Sequence, residues 1–332
     1  MMPTKKDIIR RPVEYAPADI ARLDRDVLGA VAFGEFAGDG DPRILHVRLA
    51  VPGGGGVVEL WRGAGPVEQG AEGPIRYAHD GNLLFGILEL DERQYDGIQS
   101  AAQAAYEAIE AFHRRRDQRH LLRMWNYIGD INRGSGDEER YKQFCLGRSR
   151  GLANVPERAF PAATAVGRRD GLPLLQLCWL AGREAGGPVE NPRQVEAYHY
   201  PRQYGPAPPS FCRAINVPGG QLMVSGTASI VGSDSVHGGD LRAQLDETAL
   251  NLRRVLEAAA ADARAPERAE LPAGTVIKAY FRDRAAAPLA AARLEEILGG
   301  DVRVVALEAD ICRSELLVEI ECVCDYRATA RD

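Results

Sequence analysis

Two stretches of this chain run through the same order of elements, and that repetition constrains the fold more than any other feature. In the first, residues 83–90 form an apolar strand. A helix over about 95–116 follows, with Ile98, Ala102, Ala105, Ala108, Ile109 and Phe112 near helical spacing. A strand over 121–131 and a short helix over 137–144 complete it. In the second, a strand over 222–231 precedes a helix that Asp240 can cap. That helix runs to about residue 263 and turns Leu241, Leu245, Leu252, Val255 and Leu256 inward. A strand over 275–281, a helix over 288–298 with Leu289, Ala292 and Leu298 inward, and strands over 302–307 and 316–324 follow. Locally, Leu83-Leu84-Phe85-Gly86 matches Met223-Val224-Ser225-Gly226. Trp125-Asn126-Tyr127-x-x-Asp130 matches Lys278-Ala279-Tyr280-x-x-Asp283. Each copy predicts one sheet with helices on one face, an α+β arrangement. Two such sheets side by side leave a cleft between the copies, where ligands tend to bind.

The remainder divides around the repeat. Residues 1–80 read as a strand-rich module, residues 81–189 as the first repeated module, and residues 190–330 as an irregular segment followed by the second. In the first of these, apolar runs over 44–51 and 57–61 flank Gly53-Gly54-Gly55-Gly56 and predict a hairpin. No helix start with Lys or Ser follows the glycines, so they read as a turn and not a phosphate cradle.

The bulk numbers exclude several classes. With 332 residues, 45% hydrophobic and 27% charged, the composition is that of an ordinary globular protein. A net charge of -6 gives no electrostatic case for nucleic acid or an anionic membrane. No apolar run is long enough to span a bilayer. The opening Met1-Met2-Pro3-Thr4-Lys5-Lys6-Asp7 has no apolar core behind its basic residues, which argues against a signal peptide. The six cysteines form no Cys-x-x-Cys pair and fit reduced thiols in a cytoplasmic protein. No metal is expected. The six histidines make no ligand motif, and His113 and His120 lie among Arg114, Arg115, Arg116, Arg119 and Arg123 as the solvated basic end of a helix.

Three features carry chemistry. The segment from Glu190 to Pro218 has five prolines between 201 and 218, which exclude a helix. Its Tyr198, Tyr200, Arg202, Tyr204 and Arg213 supply phenols and guanidinium forks suited to carboxylates. A surface loop pinned by tyrosine packing is the plainer reading. Thr227 and Ser229 alternate on a strand and suit hydrogen bonds within a pocket or to the backbone. Finally, the closing run alternates at period two. Leu316, Val318, Ile320, Cys322 and Cys324 share one face, where the two thiols pack, and Leu317, Glu319, Glu321 and Val323 share the other. By alternation alone Glu319 is a solvated residue. If its face lines a cleft, desolvation raises its pKa and favours the neutral acid. Cys312 lies seven residues earlier, on the opposite face of a straight strand, so the two meet only if Arg313-Ser314-Glu315 makes a break.

Several segments together resemble the chorismatase family. They are 125–132 (Trp-Asn-Tyr-Ile-Gly-Asp-Ile-Asn), Tyr141-x-x-Phe144-Cys145-x-Gly147-Arg148, Glu190-Asn191-Pro192-Arg193, Tyr198-His199-Tyr200-Pro201-Arg202-x-Tyr204-Gly205-Pro206, Arg213-Ala214, Ser225-Gly226-Thr227-Ala228-Ser229 and Cys312-Arg313-x-x-Leu316-Leu317-Val318-Glu319-Ile320-Glu321. The resemblance covers about residues 80–325, and the second copy is also similar to the YjgF/RidA group. It implies a monomer imitating the YjgF trimer through internal modules, with no metal and no organic cofactor. It implies chorismate as substrate and pyruvate as product. Position by position, Glu319 matches the family's acid, and Arg148, Arg213 and Tyr204 are candidates for holding the carboxylates, with Tyr200, Asn126 and Thr227 beside them. Gly226 and Cys312 match the positions occupied by Gly and Cys in the branch that makes 3-hydroxybenzoate, where the thiol relays a proton. A branch making both 3- and 4-hydroxybenzoate, for pigment and ubiquinone synthesis, has a close pocket. The alternatives are the hydrolytic branch giving a dihydroxycyclohexadiene carboxylate, an imine deaminase of the YjgF/RidA type, and a non-catalytic metabolite binder.

Overall fold

The computed structural model describes residues 13–19, 22–38, 40–261, 271–299 and 301–325. The opening residues read above for a leader, and the helix end near 263, lie outside them. The N-terminal sheet contains β1 (Val13–Pro17), β2 (Val27–Gly34), β3 (Ile44–Val47) and β4 (Gly56–Arg62). The second sheet draws on β5 (Glu68–Glu72), β6 (Ile75–His79), β7 (Leu83–Asp91), β8 (His120–Gly129), β9 (Ala162–Arg168) and β10 (Leu174–Gly182), with helices α1 (Gly97–His113) and α2 (Arg140–Gly151). After it come β11 (Gly187–Val189), β12 (Ala214–Val217), β13 (Gln221–Ala228), the hairpin β14 (Ile230–Val231) and β15 (Asp234–Ser235), α3 (Leu241–Ala260), β16 (Val276–Phe281), α4 (Ala287–Leu298), β17 (Arg303–Glu308), β18 (Asp310–Ile311) and β19 (Val318–Asp325).

The repetition extends to three copies. The sheets run β3-β2-β4-β1, β18-β9-β8-β10-β7-β6-β5 and β17-β16-β19-β13-β12-β11. In each, one pair is parallel (β2–β3, β8–β9, β16–β17), and the next two pairings are antiparallel. The N-terminal sheet is therefore the same unit without its two helices. The α+β class and the repeated, pseudo-trimeric modules hold. The sheets change earlier than residue 81, because β5 and β6 already hydrogen-bond into the second sheet, and β18 crosses back to pair with β9.

Apolar periodicity accounts for the outer layers. Ile98, Ala101, Ala102, Ala105, Tyr106, Ile109 and Phe112 of α1 are buried against the second sheet. Leu245, Leu252, Val255 and Leu256 of α3 cover the third, where Val318, Ile320, Cys322 and Cys324 meet them. Asp240 caps α3 through Ala243 N at 3.0 Å. Helices α1 and α2 approach so closely that a Cβ on Gly147 would overlap the carbonyl of Gln99. The three inner faces converge on one core that includes Phe33, Trp61, Phe85, Trp125, Cys178 and Tyr280.

Several expectations are corrected. The runs around the glycine turn are not a hairpin: β3 and β4 are separated by β2, which pairs with β3 in parallel and with β4 antiparallel. Gly53, Gly54 and Gly55 turn at positive φ in open space, at the end of a crossover and not of a hairpin, and Gly56 begins β4 packed against the Glu35 carbonyl. Leu289 is 82% exposed and Ala292 is exposed, while Ala287, Ala290 and Leu294 are the inward face of α4. That helix starts one residue earlier than predicted, and its alanine-rich sequence fits more than one apolar stripe. The short helix begins at Arg140, not 137, since residues 136–138 form a tighter turn. Gly226 is not the counterpart of Gly86. Gly86 lies opposite Trp179, whose place is taken by Cys322 opposite Val224; a bulge between Val224 and Thr227 then inserts an extra residue. His113 is buried, not solvated. Its Nε2 accepts from Trp179 Nε1 at 2.7 Å and Nδ1–H donates to the Gln118 carbonyl at 2.6 Å, and burial lowers its pKa to about 4.

At the centre of the converging sheets lies an ionic cluster. Lys278 Nζ on β16 reaches Glu59 Oε2 on β4 at 2.7 Å and Glu321 Oε1 on β19 at 2.8 Å. All three side chains are 5% exposed or less. Removing one partner from such a group leaves uncompensated buried charge, which costs about 3–5 kcal/mol. Lys278→Ala is therefore expected to lose about that much unfolding free energy in a urea titration; a loss under about 1 kcal/mol would mean that the cluster is held by its surroundings and not by the ammonium.

Candidate active site

The face of β19 that alternation left undecided is interior. Glu319 is 4% exposed and Glu321 is 5% exposed. Glu321 points into the axial cluster, where it accepts from Arg123 Nη2 at 2.8 Å, Trp125 Nε1 at 2.7 Å and the Thr164 hydroxyl. Glu319 points instead into a cavity of about 260 Å³ between the two helix-bearing modules. Among the described residues no hydrogen bond reaches its carboxyl.

Two carboxyls two residues apart thus acquire opposite character. Burial raises Glu319 most, the neighbouring charge of Glu321 adds to that, and Arg123 and Arg213 oppose; the outcome is about 8. Burial also works against the Glu321 charge, but Lys278 and Arg123 outweigh it and hold this carboxyl below its usual range. At neutral pH Glu319 is a neutral acid beside a fixed anion, the division of roles used by paired catalytic carboxyls.

The cavity wall comes from α2 (Tyr141, Phe144, Cys145, Arg148), from β9 (Ala163, Thr164, Ala165), from the proline-rich segment, from β13 and from the approach to β19. Arg148 is 3% exposed, lies on the Tyr106 ring at 5.0 Å, and its Nε and Nη2 have no partner. A buried guanidinium left open in this way has donors to offer an anion. Arg213 donates Nη2 to the Val195 carbonyl and to the Tyr200 oxygen, each at 2.8 Å, and its Nε is unpaired. The proline-rich segment is thus an ordered wall, with Tyr200, Tyr204, Phe211 and Arg213 on the cavity side. Its Arg202 faces away and bonds Asp137 at 2.9 Å.

The bulge in β13 shapes the floor. Ser225 Oγ accepts from Ala163 N at 2.8 Å and donates to the Cys212 carbonyl at 2.5 Å, tying β13 to β9. This brings Gly226 against Glu319, and a Cβ there would overlap Glu319 Oε1. The break expected before β19 is present: Leu316 N donates to the Arg313 carbonyl at 3.1 Å, and the chain passes there from one sheet to the other. It brings Cys312 to the cavity wall with Glu319. Burial, and then Glu319, push the Cys312 thiol well up, so it stays protonated.

The structure therefore brings Glu319, Cys312, Arg148, Arg213, Gly226, Tyr200 and Tyr204 together. Asn126 and Thr227 do not line the cavity. Asn126 Nδ2 donates to the Thr164 carbonyl at 2.9 Å and its Oδ1 accepts from Tyr106, so it braces β9 from behind. Thr227 Oγ1 donates to the Ser225 carbonyl at 2.9 Å, bracing the bulge. The Tyr204 hydroxyl is committed to Asp234, while its ring supports Arg313 at 3.8 Å. Arg313 is a cavity cation that sequence reasoning treated only as part of a turn; its place beside Cys312 in the closing motif was the available signal. No group of three or more His, Cys, Asp or Glu placed for a metal occurs among the described residues, and none of their helices is long and apolar enough to cross a membrane.

A family model described as Chorismatase FkbO/Hyg5-like, N-terminal, matches residues 59–181. A 3-hydroxybenzoate synthase of Streptomyces hygroscopicus is 36% identical over 318 residues, covering 90% of this chain and 92% of that protein. A chorismatase of Streptomyces rapamycinicus is 35% identical over 275 residues, covering 79% and 80%. A crystal structure of a chorismatase superposes with a TM-score of 0.83 at 29% identity, covering 94% of this chain and 97% of that one. The chain belongs to the chorismatase family.

The raised pKa of Glu319 has a consequence for stability. A carboxyl whose folded value exceeds its unfolded value binds a proton that the unfolded chain releases, so stability falls as pH rises between about 4.5 and 8. Glu319→Gln removes this penalty. It is expected to be more stable than the parent at pH 9, by roughly 2–5 kcal/mol, with the difference closing towards pH 4; denaturant titrations across pH check this.

Proposed function

We propose that this protein is a chorismatase that converts chorismate to 3-hydroxybenzoate and pyruvate. The observation that carries the reading is a neutral, unbonded carboxyl, Glu319, facing a cavity that also holds the open guanidinium of Arg148. Chorismate brings two carboxylates, an enol ether and a secondary ring alcohol. Arg148, Arg213 and Arg313 offer charge-assisted donors for the carboxylates, Tyr200 orients Arg213, and Tyr204 supports Arg313.

Glu319 gives its proton to the terminal methylene of the enol ether, leaving an oxocarbenium-like side chain and a carboxylate on the enzyme. The side chain leaves the ring as pyruvate while the neighbouring ring hydroxyl oxygen attacks the carbon it vacates. The hydroxyl proton restores Glu319, and an epoxide forms. Its opening, with loss of a ring proton, gives the aromatic 3-hydroxybenzoate, and the Cys312 thiol relays a proton in that step. No water enters the balance. Gly226 leaves the Glu319 carboxyl its place beside the bulge, and its lack of a side chain lets the ring sit for internal attack. The proposal takes the protein as a cytoplasmic single chain needing no metal or organic cofactor, with modules at 1–80, 81–189 and 190–330 adjusted to the sheet boundaries.

The test is incubation with chorismate, with pyruvate followed by coupled NADH loss and the ring products resolved by chromatography. Pyruvate and 3-hydroxybenzoate in equal amounts are expected. Pyruvate no faster than the spontaneous rate would sink the reading. Glu319→Gln is expected to lower turnover by at least about 100-fold with the fold intact. Gly226→Ala combined with Cys312→Ala is expected to shift product towards the non-aromatic diol; an unchanged product would remove both residues from that role.

A further inference from the structure

No residue of the N-terminal sheet lines the cavity, among the described residues, yet that sheet supplies one end of the axial cluster. Glu59 on β4 accepts from Lys278 Nζ, from Trp61 Nε1 at 2.7 Å and from the Tyr15 hydroxyl at 2.7 Å. Lys278 passes the contact on to Glu321, and Glu321 is also held by Arg123, Trp125 and Thr164. Two carboxylates and two cations meet here, so the axis carries no net charge. Glu321 is the anion whose charge raises Glu319, two residues along the same face.

The balance matters because of what faces Glu319. On its own strand there is Glu321, and Arg123 reaches it from β8 and Arg213 from the start of β12. From α2 come Tyr141, Cys145 and Arg148, with Glu139 and Lys142 nearby. From the turn before β19 come Cys312, Arg313 and Glu315. Cations already predominate on the cavity side. Any further unbalanced positive charge on the axis would favour the ionised carboxylate and take the proton that the reaction needs.

We propose that Glu59 is a positioning residue for the acid: by cancelling the charge of Lys278 it keeps the axis neutral and Glu319 protonated at working pH. The N-terminal sheet then has a catalytic purpose although it touches no substrate. The inference rests on Glu319 being the acid. It differs from a purely structural role for Glu59 because it concerns charge and not only contacts.

Glu59→Gln keeps the shape and removes the charge. The high-pH limb of kcat/KM is expected to move down by about half a pH unit or more, with little change in KM on the low-pH side. Tyr15→Phe removes a contact to Glu59 without changing charge and is expected to leave the limb in place. A substrate-free readout runs in parallel: a carbon-13 carboxyl resonance that titrates near pH 8 and disappears in Glu319→Gln should titrate lower in Glu59→Gln. If Glu59→Gln does not fold, Lys278→Met carries the test in the opposite sense: it leaves the axis one anion in excess, and the limb and the resonance are expected to move up. A folded charge-removing variant whose limb and resonance stay at the parent's pH would overturn the inference. Loss of chorismate turnover in the parent itself would instead count against the proposed function, and the resonance would still decide the charge effect.

Discussion

Lys278 is the interaction on which the rest of the structure depends. Its ammonium joins β16 to the N-terminal sheet through Glu59 and to β19 through Glu321, and it is fully enclosed. An enclosed charge is costly unless every partner is in place. Here the partners come from all three sheets, since Arg123 and Trp125 of β8 close on the same Glu321. Apolar helices cover the outside of two modules, and within the apolar core where the three sheets converge a charged cluster occupies the axis. This arrangement fixes how the modules meet, and the cavity is a product of that meeting.

The same network explains how one strand carries two carboxyls of opposite protonation state. Glu321 is ringed by donors and stays an anion, whereas Glu319 has no donor and keeps its proton. The separation does not come from sequence position, since the two share one face of β19. It comes from what β8, β9 and β16 place opposite each, and from the bulge at Ser225-Gly226 that leaves room for the Glu319 carboxyl.

Much of the outer architecture was legible in the sequence, because the apolar stripes of α1 and α3 and the alternation of β19 each have a single solution. The duplicate order of elements correctly implied a cleft. The third copy does not show in the local pattern, because it lacks the two helices, and only the family resemblance implied it. Alternation showed that Glu319 and Glu321 share a face but not what covers it, since burial of a sheet face depends on modules far away in the chain. The same limit hid the partnership of Glu59 with Lys278, 219 residues apart. Local composition misled at α4, where Leu289 reads as core and is exposed, and at the glycine turn, where nearness in sequence suggested pairing that a crossover prevents. Asn126 and Thr227 came with motifs that resemble the family's, yet their polar atoms are spent on bracing Thr164 and Ser225. Motif membership does not separate residues that touch a ligand from those that hold the wall.

The central claim is that Glu319 acts as a proton donor in its neutral form. The most direct measurement is kcat/KM for pyruvate release from chorismate between pH 6 and 10. The account predicts a plateau at low pH and a decline approaching tenfold per pH unit above about 8, where Glu319 loses its proton. A rate that stays level or rises from pH 7 to 9.5 would contradict it.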